Sequence, residues 1–311
     1  MRAVGVRRFG GPEVLEVVEL DEPVPGQGEV RVRVAAATVN PTDIGLRTGL
    51  WVSQLADRPP PWVPGMELAG VIDAVGPGAG WSIGDRVMAI VLPTGPRGGA
   101  QAEQVVVPVQ SVVHSPASAS DAQAATLPMN GLTVRCALDT LGLEPGQTLA
   151  VTGAAGAVGG YAIELGKVDG VTVIADAAPG DEALVRELGA DFVVPRGEGC
   201  VDAIRAVVAD GVDAVIDAAL LNAAILPAVR DGGALAAVRA FAGETERGIA
   251  IHPIRVSEYA TRQAALAALG ELVEAGRLTL RVAQTFPPER AADAHRMLEA
   301  GGVRGRLLIA F

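Results

Sequence analysis

The stretch Val151-Thr-Gly-Ala-Ala-Gly-Ala-Val-Gly-Gly160 follows the apolar run Thr148–Thr152 and leads into a second apolar segment. The first run has the composition of a strand and the second that of a helix, so the glycines fall in the turn between them. Such a strand, turn and helix are typical of the Rossmann fold, where the helix N-terminus binds a dinucleotide pyrophosphate. Gly156 is expected to let the backbone approach that pyrophosphate, and Gly159 to let the helix pack on the strand. The strict GxGxxG spacing is not met, because Ala154 occupies the position of its first glycine.

The residues expected to contact this cofactor lie in the turn and after the two strands that follow it. They are Ala155, Gly156, Ala157, Val158, Asp176 and Arg196. Asp176 follows the run Val171–Ala175, where a carboxylate normally accepts hydrogen bonds from the adenosine ribose hydroxyls. It favours NADH over NADPH, because a 2′-phosphate placed there would meet like charge. Arg196, after the third strand, is within reach of a 2′-phosphate. The alternative interpretation of the glycine turn is a tight turn that binds no ligand, and that of Asp176 is a carboxylate that caps a helix or is solvated in a loop.

The sequence pattern of the chain changes at about Ser118. From there strands and helices alternate, which predicts an α/β architecture with a doubly wound parallel sheet. Before that point, short strand-like runs separated by Gly and Pro predict a β-rich, barrel-like domain. We therefore expect a barrel domain over residues 1–117, a Rossmann domain over 118–252, and a tail over 253–311 that returns to the first domain. The tail is predicted to contain a helix over Thr261–Ala275, a strand over Leu278–Val282, a helix over Pro288–Ala300 and a strand over Arg306–Ile309.

The composition excludes several classes of function. The 311 residues carry a formal net charge of −11, and no run of Lys and Arg offers a track for a nucleic-acid backbone. The same charge disfavours anionic membrane surfaces, and no stretch is long and apolar enough to predict a membrane span. Two cysteines without metal-site spacing indicate a reducing compartment. The start of the chain carries charges where a signal peptide needs an apolar run, so a cytoplasmic location is expected.

Further motifs are spread over nearly the whole chain. They are Arg8–Leu15, Val39–Asp43 with Arg47–Gly49, Val63–Gly70, Leu127–Thr133, Leu188–Asp191 and the pair Gly305-Arg306. Together with the glycine turn they resemble the zinc-independent quinone oxidoreductase branch of the medium-chain dehydrogenase/reductase superfamily. The resemblance implies a GroES-like barrel domain beside the Rossmann domain, a homodimer, and NADPH as the usual cofactor, in conflict with the preference for NADH that Asp176 indicates.

The chain departs from the zinc-dependent members of that superfamily. Those relatives place a His where Met66 stands and a Cys near Asp43, and they carry a four-cysteine lobe that is absent here. A catalytic zinc needs three protein ligands around an open position. The three histidines, His114, His252 and His295, are scattered along the chain, so no metal site is expected.

The resemblance also implies roles for three polar residues. Asn40 is expected to border the nicotinamide and the substrate, where its amide would hydrogen-bond the acceptor oxygen as negative charge develops. Thr133, near the start of a helix, is expected to bond the carboxamide or a ribose, and Arg306 to contact the cofactor. A turn residue before Pro41 is the alternative interpretation of Asn40, and a core contact that of Thr133.

No side chain stands out as a proton donor, since neither tyrosine, Tyr161 or Tyr259, has a catalytic context. This favours small electrophiles whose product anion is delocalised, so we expect NAD(P)H-dependent reduction of a quinone or an α,β-unsaturated carbonyl. The alternatives are a carbonyl or enoyl-thioester reductase on the same scaffold, and a non-catalytic dinucleotide-binding sensor or structural protein. The apolar run Ile249–Val256 is predicted to lie near the interface of the homodimer.

Overall fold

The computed structural model describes residues 1–311, which form fifteen strands and eight α-helices. In chain order the strands are β1 (Arg2–Val6), β2 (Leu15–Glu19), β3 (Glu29–Val39), β4 (Glu67–Val75), β5 (Arg86–Ile90), β6 (Gln104–Pro108), β7 (Val112–His114), β8 (Thr148–Thr152), β9 (Thr172–Ala177), β10 (Phe192–Pro195), β11 (Val212–Asp217), β12 (Val229–Ala237), β13 (Ala250–Pro253), β14 (Val282–Phe286) and β15 (Arg306–Ala310). The helices are α1 (Pro41–Thr48), α2 (Asp121–Ala124), α3 (Pro128–Leu141), α4 (Ala157–Val168), α5 (Glu182–Glu187), α6 (Cys200–Val207), α7 (Gln263–Glu274) and α8 (Ala291–Ala300).

The chain divides into two compact units. The first comprises Met1–Met129, Ala260–Glu274 and Leu280–Phe311, and the second comprises Asn130–Tyr259 and Ala275–Thr279. Residues 118–129 therefore lie in the first unit, although the alternating sequence pattern already begins there. Most of the tail belongs to the first unit, while residues 253–259 and 275–279 belong to the second.

The first unit is built on a sheet with the strand order β14-β15-β3-β4-β5-β7, in which β6 also pairs with β3. Every pair in it is antiparallel except β14 with β15. Alternate residues of β3, Val30, Val32 and Val34, point into one aliphatic core. This β-rich unit is the barrel domain that the sequence predicts.

The second unit contains a six-stranded parallel sheet in the order β10-β9-β8-β11-β12-β13. If β8 is counted as the first strand, this is the order 3-2-1-4-5-6 of a Rossmann fold. The central strand β8 is buried, with Leu149 and Ala150 both at 0% exposure, as expected where both faces of a parallel sheet are covered. The predicted α/β fold class is therefore confirmed.

Two crossovers of the second unit lack an α-helix, the one from β11 to β12 and the one from β12 to β13. α4, α5 and α6 follow β8, β9 and β10 in turn, but β11 and β12 are joined by a 3-10 segment over Asn222–Ala228. Pro227 lies inside this segment, and a proline there removes one backbone donor and disfavours a regular helix. None of the helices of the chain is both long and apolar enough to cross a membrane.

Two predicted boundaries are wrong in ways that affect the site. β9 continues through Ala177, so Asp176 lies inside the strand, paired with Val194 of β10, and does not follow the strand. The predicted strand over Leu278–Val282 is absent, and β14 begins only at Val282. Residues 275–279 belong to the second unit, so the chain enters the barrel sheet only after them.

Candidate active site

The glycine turn closes against the first turn of α4. Gly153 has a φ of 65°, and its carbonyl accepts the N–H of Gly156 at 2.9 Å. Gly159 packs on the same carbonyl, since a Cβ at Gly159 would lie 2.3 Å from the Gly153 oxygen. Gly156 is the N-cap of α4, so the amides of Ala157 and Val158 precede the helical hydrogen bonds. Such a helix N-terminus suits a phosphate group, so the turn fits a dinucleotide.

The Asp176 carboxylate is bonded to this turn. Its Oδ1 accepts the N–H of Ala154 at 2.9 Å, and the residue is only 3% exposed. Burial raises the pKa of the nearby Cys200 thiol to about 11, and the negative charge of Asp176 adds to that shift. Asp176 thus holds the start of the glycine turn, a role that the sequence did not indicate.

Arg196 lies beside the end of β9. Its N–H donates to the carbonyl of Ala177 at 2.9 Å, and the residue is exposed. The guanidinium forms no ion pair with Asp176, so the two charges do not cancel each other directly. The structure therefore brings Asp176 and Arg196 to the same end of the strand pair β9 and β10.

The loop after β11 is held against the glycine turn by two buried residues. Thr152 Oγ1 donates to Asp217 Oδ1 at 2.6 Å and accepts the N–H of Ala219 at 3.0 Å. Asp217 also accepts the N–H groups of Leu221 and Asn222, at 3.0 and 2.7 Å. Sequence reasoning missed Asp217, although an acid that ends an apolar strand run is the signal that marks it. Ligands of open α/β sheets bind at such carboxyl ends, where the strand order reverses.

A buried ion pair joins β4 and β15 in the first unit. Arg306 Nη2 bonds Glu67 Oε1, and the two side chains are 7% and 0% exposed. The same nitrogen donates to Asn40 Oδ1 and lies 2.9 Å from Thr38 Oγ1. Thr38 donates to Glu67 Oε1 at 2.6 Å, and the other Glu67 oxygen accepts the N–H of Met129 in α3 at 2.7 Å. The sequence did not assign a role to Glu67, although it lies in the Val63–Gly70 motif.

Arg306 is therefore already paired inside the barrel domain. Its Nη2 is used by the ion pair, and its Nε is buried without a partner. A contact between Arg306 and the cofactor stays a prediction from the family resemblance.

Asn40 is fully buried as the N-cap of α1. Its Nδ2 donates to Thr38 Oγ1 at 2.9 Å, and its Oδ1 accepts from Arg306. Its backbone N–H donates to Asp43 Oδ2 at 2.8 Å, and the Gly65 N–H donates to the other oxygen at 2.9 Å. Burial raises the pKa of Asp43 to about 7, and these two N–H donors oppose the shift. The geometry fits the alternative interpretation of Asn40 as a turn residue, and its contact with a substrate stays a prediction.

Thr133 lies on α3 within the second unit. It is 7% exposed, which fits both the predicted cofactor contact and the alternative core contact. Its role stays a prediction.

The side chains of Met66 and Asp43 do not fit a zinc ion. Met66 offers a thioether that is 6% exposed, and the Asp43 carboxylate is occupied by N–H donors. His295 is buried in α8, where burial lowers its pKa to about 3. The structure contains no group of three His, Cys, Asp or Glu side chains that could hold a metal ion. A catalytic zinc needs three such ligands, so the donor set present here does not match one.

Two family models match parts of the chain. The alcohol dehydrogenase GroES-like domain covers residues 26–117, and the zinc-binding dehydrogenase model covers residues 188–309. Human quinone oxidoreductase is 28% identical to this chain over an alignment 333 positions long, which covers 99% of this chain and 97% of that protein. The human synaptic vesicle membrane protein VAT-1 homolog-like is 34% identical over 222 residues, 70% of this chain and 50% of that protein. The chain thus matches only about half the length of this relative.

Solved structures align over the whole chain. An NAD-dependent alcohol dehydrogenase superposes with a TM-score of 0.85 at 31% identity, covering 100% of both chains. A mycobacterial protein in complex with NADPH superposes with a TM-score of 0.86 at 26% identity, again over 100% of both chains. With its GroES-like barrel domain, its Rossmann sheet and these matches, the chain belongs to the medium-chain dehydrogenase/reductase superfamily, within its quinone oxidoreductase branch.

Proposed function

We propose that this protein is an NAD(P)H-dependent oxidoreductase that reduces a quinone or an α,β-unsaturated carbonyl without zinc. The observation that carries the proposal is the glycine turn at the carboxyl end of β8, next to β11, where the strand order of the sheet reverses. Its relatives include proteins named quinone oxidoreductase, which supports the reaction class.

The chain's own residues hold and orient the dinucleotide. The backbone of Ala155–Val158 binds the pyrophosphate at the N-terminus of α4. Asp176 and Arg196 lie on the side of the sheet that takes the adenosine ribose in this fold. When bound, the nicotinamide supplies the hydride, and the protein contributes orientation and exclusion of water. Asn40, Thr133 and Arg306 are proposed to act near the reacting groups.

The burial of the two tyrosines supports a substrate whose reduction needs no strong acid from the protein. Tyr161 in α4 is 4% exposed and Tyr259 is 6% exposed. The Tyr259 hydroxyl donates to Asp139 Oδ2 at 2.8 Å. Because neither phenol is accessible as a proton donor, a product anion that is stabilised by delocalisation and protonated by water fits best.

The proposal is tested by following NADH and NADPH oxidation with quinones, enones and aldehydes, before and after treatment with a strong chelator. We expect turnover with quinones or enones that survives chelation. Oxidation of the cofactor by aldehydes alone, lost together with stoichiometric zinc, would contradict it. Tight dinucleotide binding with no turnover of any electrophile would support a non-catalytic sensor instead.

We propose that the protein uses both cofactors with a modest preference. The negative charge of Asp176 disfavours the 2′-phosphate of NADPH, and the positive charge of Arg196 favours it. A carboxylate about 4 Å from a 2′-phosphate costs roughly 1–4 kcal/mol at effective dielectric constants of about 80 to 20. Asp176→Asn removes this charge but keeps an oxygen for the Ala154 N–H. We expect it to shift the ratio of kcat/KM values towards NADPH by about tenfold or more, and Arg196→Ala to shift the ratio towards NADH.

Steady-state kinetics with the two cofactors measures both shifts. Glu182→Gln serves as the control and is expected to leave the ratio unchanged, because this acid in the first turn of α5 has a side chain that is 44% exposed and paired with Arg186. If Asp176→Asn leaves the ratio within about twofold of the wild type, the carboxylate does not lie near the ribose.

We propose that the protein is a homodimer that uses the free edge of β13. Within one chain β13 pairs only with β12, so its outer edge presents unpaired backbone groups. We expect light scattering at micromolar concentration to give twice the chain mass of 31.6 kDa. A mass of one chain under these conditions would rule out the assembly.

A further inference from the structure

The loop that follows β11 has an unusual backbone. Leu220 and Asn222 have φ values of 61° and 54°, in the left-handed region that L side chains rarely adopt. Asparagine tolerates this region comparatively well, but leucine does not. A leucine held there persists only when its surroundings over-determine the conformation, and such outliers cluster at ligand sites.

Several hydrogen bonds hold this loop in its conformation. Asp217 accepts two consecutive N–H groups, those of Leu221 and Asn222. Asn222 Nδ2 donates to the Leu220 carbonyl at 2.8 Å, and Asn222 Oδ1 accepts the N–H of Ala242 at 3.1 Å. These four bonds fix the backbone from the Leu220 carbonyl to Asn222 and tie it to Asp217 and Ala242.

The loop borders the glycine turn directly. A Cβ at Gly153 would lie 3.1 Å from the carbonyl carbon of Ala218 and from the nitrogen of Ala219. Leu220 comes next in the chain and is 36% exposed, whereas its neighbour Leu221 packs on the hydrophobic core of the sheet. The strained residue is therefore the one whose apolar side chain faces outwards, at the carboxyl end of the sheet.

The position of the loop in the sheet indicates which half of a dinucleotide it meets. In the Rossmann order the second strand, here β9, takes the adenosine ribose, and the half of the sheet from β11 to β13 takes the other nucleotide. The loop after β11 therefore lies on the nicotinamide side of the glycine turn.

We infer that Leu220 is a binding determinant for the nicotinamide half of the cofactor: its apolar side chain packs on the uncharged nicotinamide nucleoside, and the Asp217 hydrogen bonds hold it there at a cost in backbone strain. This inference rests on the proposed function and names a residue of the same site. It requires that stability rises and cofactor affinity falls when the leucine is replaced by glycine.

Two substitutions separate the side chain from the backbone. Leu220→Gly removes both the apolar contact and the strain, whereas Leu220→Ala removes the contact but keeps a Cβ at positive φ. We expect both variants to bind NADH and NADPH about fivefold or more weakly than the wild type. We expect Leu220→Gly, but not Leu220→Ala, to raise Tm by roughly 2–4 °C.

Titration calorimetry with NADH, NADPH and ADP, together with thermal unfolding, gives these readouts. ADP carries only the adenosine half, so its affinity is expected to stay within about twofold in both variants. Val207→Ala on α6 is the matched control, because Val207 is also 36% exposed and lies in the same unit. It is expected to bind all three nucleotides like the wild type.

The outcomes distinguish the inference from the proposed function. If the wild type binds none of the nucleotides, the proposed function fails and the inference with it. If the wild type binds NADH or NADPH and both Leu220 variants bind it equally well, only the inference is overturned. Equal weakening of ADP and NADH also overturns it, because the loop would then act on the whole glycine turn.

Discussion

Gly159→Ala is expected to abolish dinucleotide binding, with a loss of affinity of at least about a hundredfold, or roughly 2.8 kcal/mol. The added methyl would lie 2.3 Å from the Gly153 carbonyl oxygen and 2.6 Å from the Ala154 Cα. Both atoms belong to the backbone of the turn, so α4 must move away from β8, and the amides at its N-terminus lose their position. Titration calorimetry with NADH and NADPH measures the loss.

Gly180→Ala is the matched control for this variant. Gly180 lies in the same unit, and a Cβ there would meet no atom within 4 Å. Its affinity and its unfolding transition are expected to equal those of the wild type. Binding by Gly159→Ala within about tenfold of the wild type would mean that the turn tolerates displacement and that the cofactor is held mainly elsewhere.

Arg306→Leu is expected to lower the free energy of unfolding by about 3–5 kcal/mol. The substitution leaves the Glu67 carboxylate, which is 0% exposed, without its cation. Removing one partner of a buried pair costs more than removing both, because the remaining charge is desolvated and uncompensated. The double variant Glu67→Gln with Arg306→Leu is therefore expected to recover part of the loss.

Urea unfolding of the single and double variants tests this. Arg186→Leu provides the comparison, because Arg186 and its partner Glu182 are 59% and 44% exposed. That change is expected to cost no more than about 0.5 kcal/mol. A loss below about 1 kcal/mol for Arg306→Leu would show that Glu67 finds other compensation.

Local patterns in the sequence were enough to predict the Rossmann unit. The predicted strand Thr148–Thr152 has the observed bounds of β8, because an apolar strand, a glycine turn and a helix specify one another over a few residues. The end of β9 was misplaced because Asp176 looks like a loop residue, and only its hydrogen bond to Ala154 shows that it is buried.

The parts of the site that depend on distant residues were not predictable in the same way. Glu67 and Arg306 are 239 positions apart and meet only because β15 joins the barrel sheet beside β3. The left-handed backbone conformation of Leu220 could not be predicted either, because a leucine in the sequence does not indicate that conformation. It follows from hydrogen bonds made by Asp217, whose own role was missed.

The order of the strands in the barrel sheet also governs when each unit can be completed during synthesis. The third strand acquires its neighbour β15 only when residues 306–310 have left the ribosome, whereas the six strands of the parallel sheet are all present by residue 253. The barrel domain, whose first strands are synthesised first, is therefore the last to have all of its strands. Until then the edge of β3 that later pairs with β15 is open to pairing with another nascent chain. Removal of residues Arg306–Phe311 would make that exposure permanent, although the Rossmann unit, which does not contain them, would be untouched.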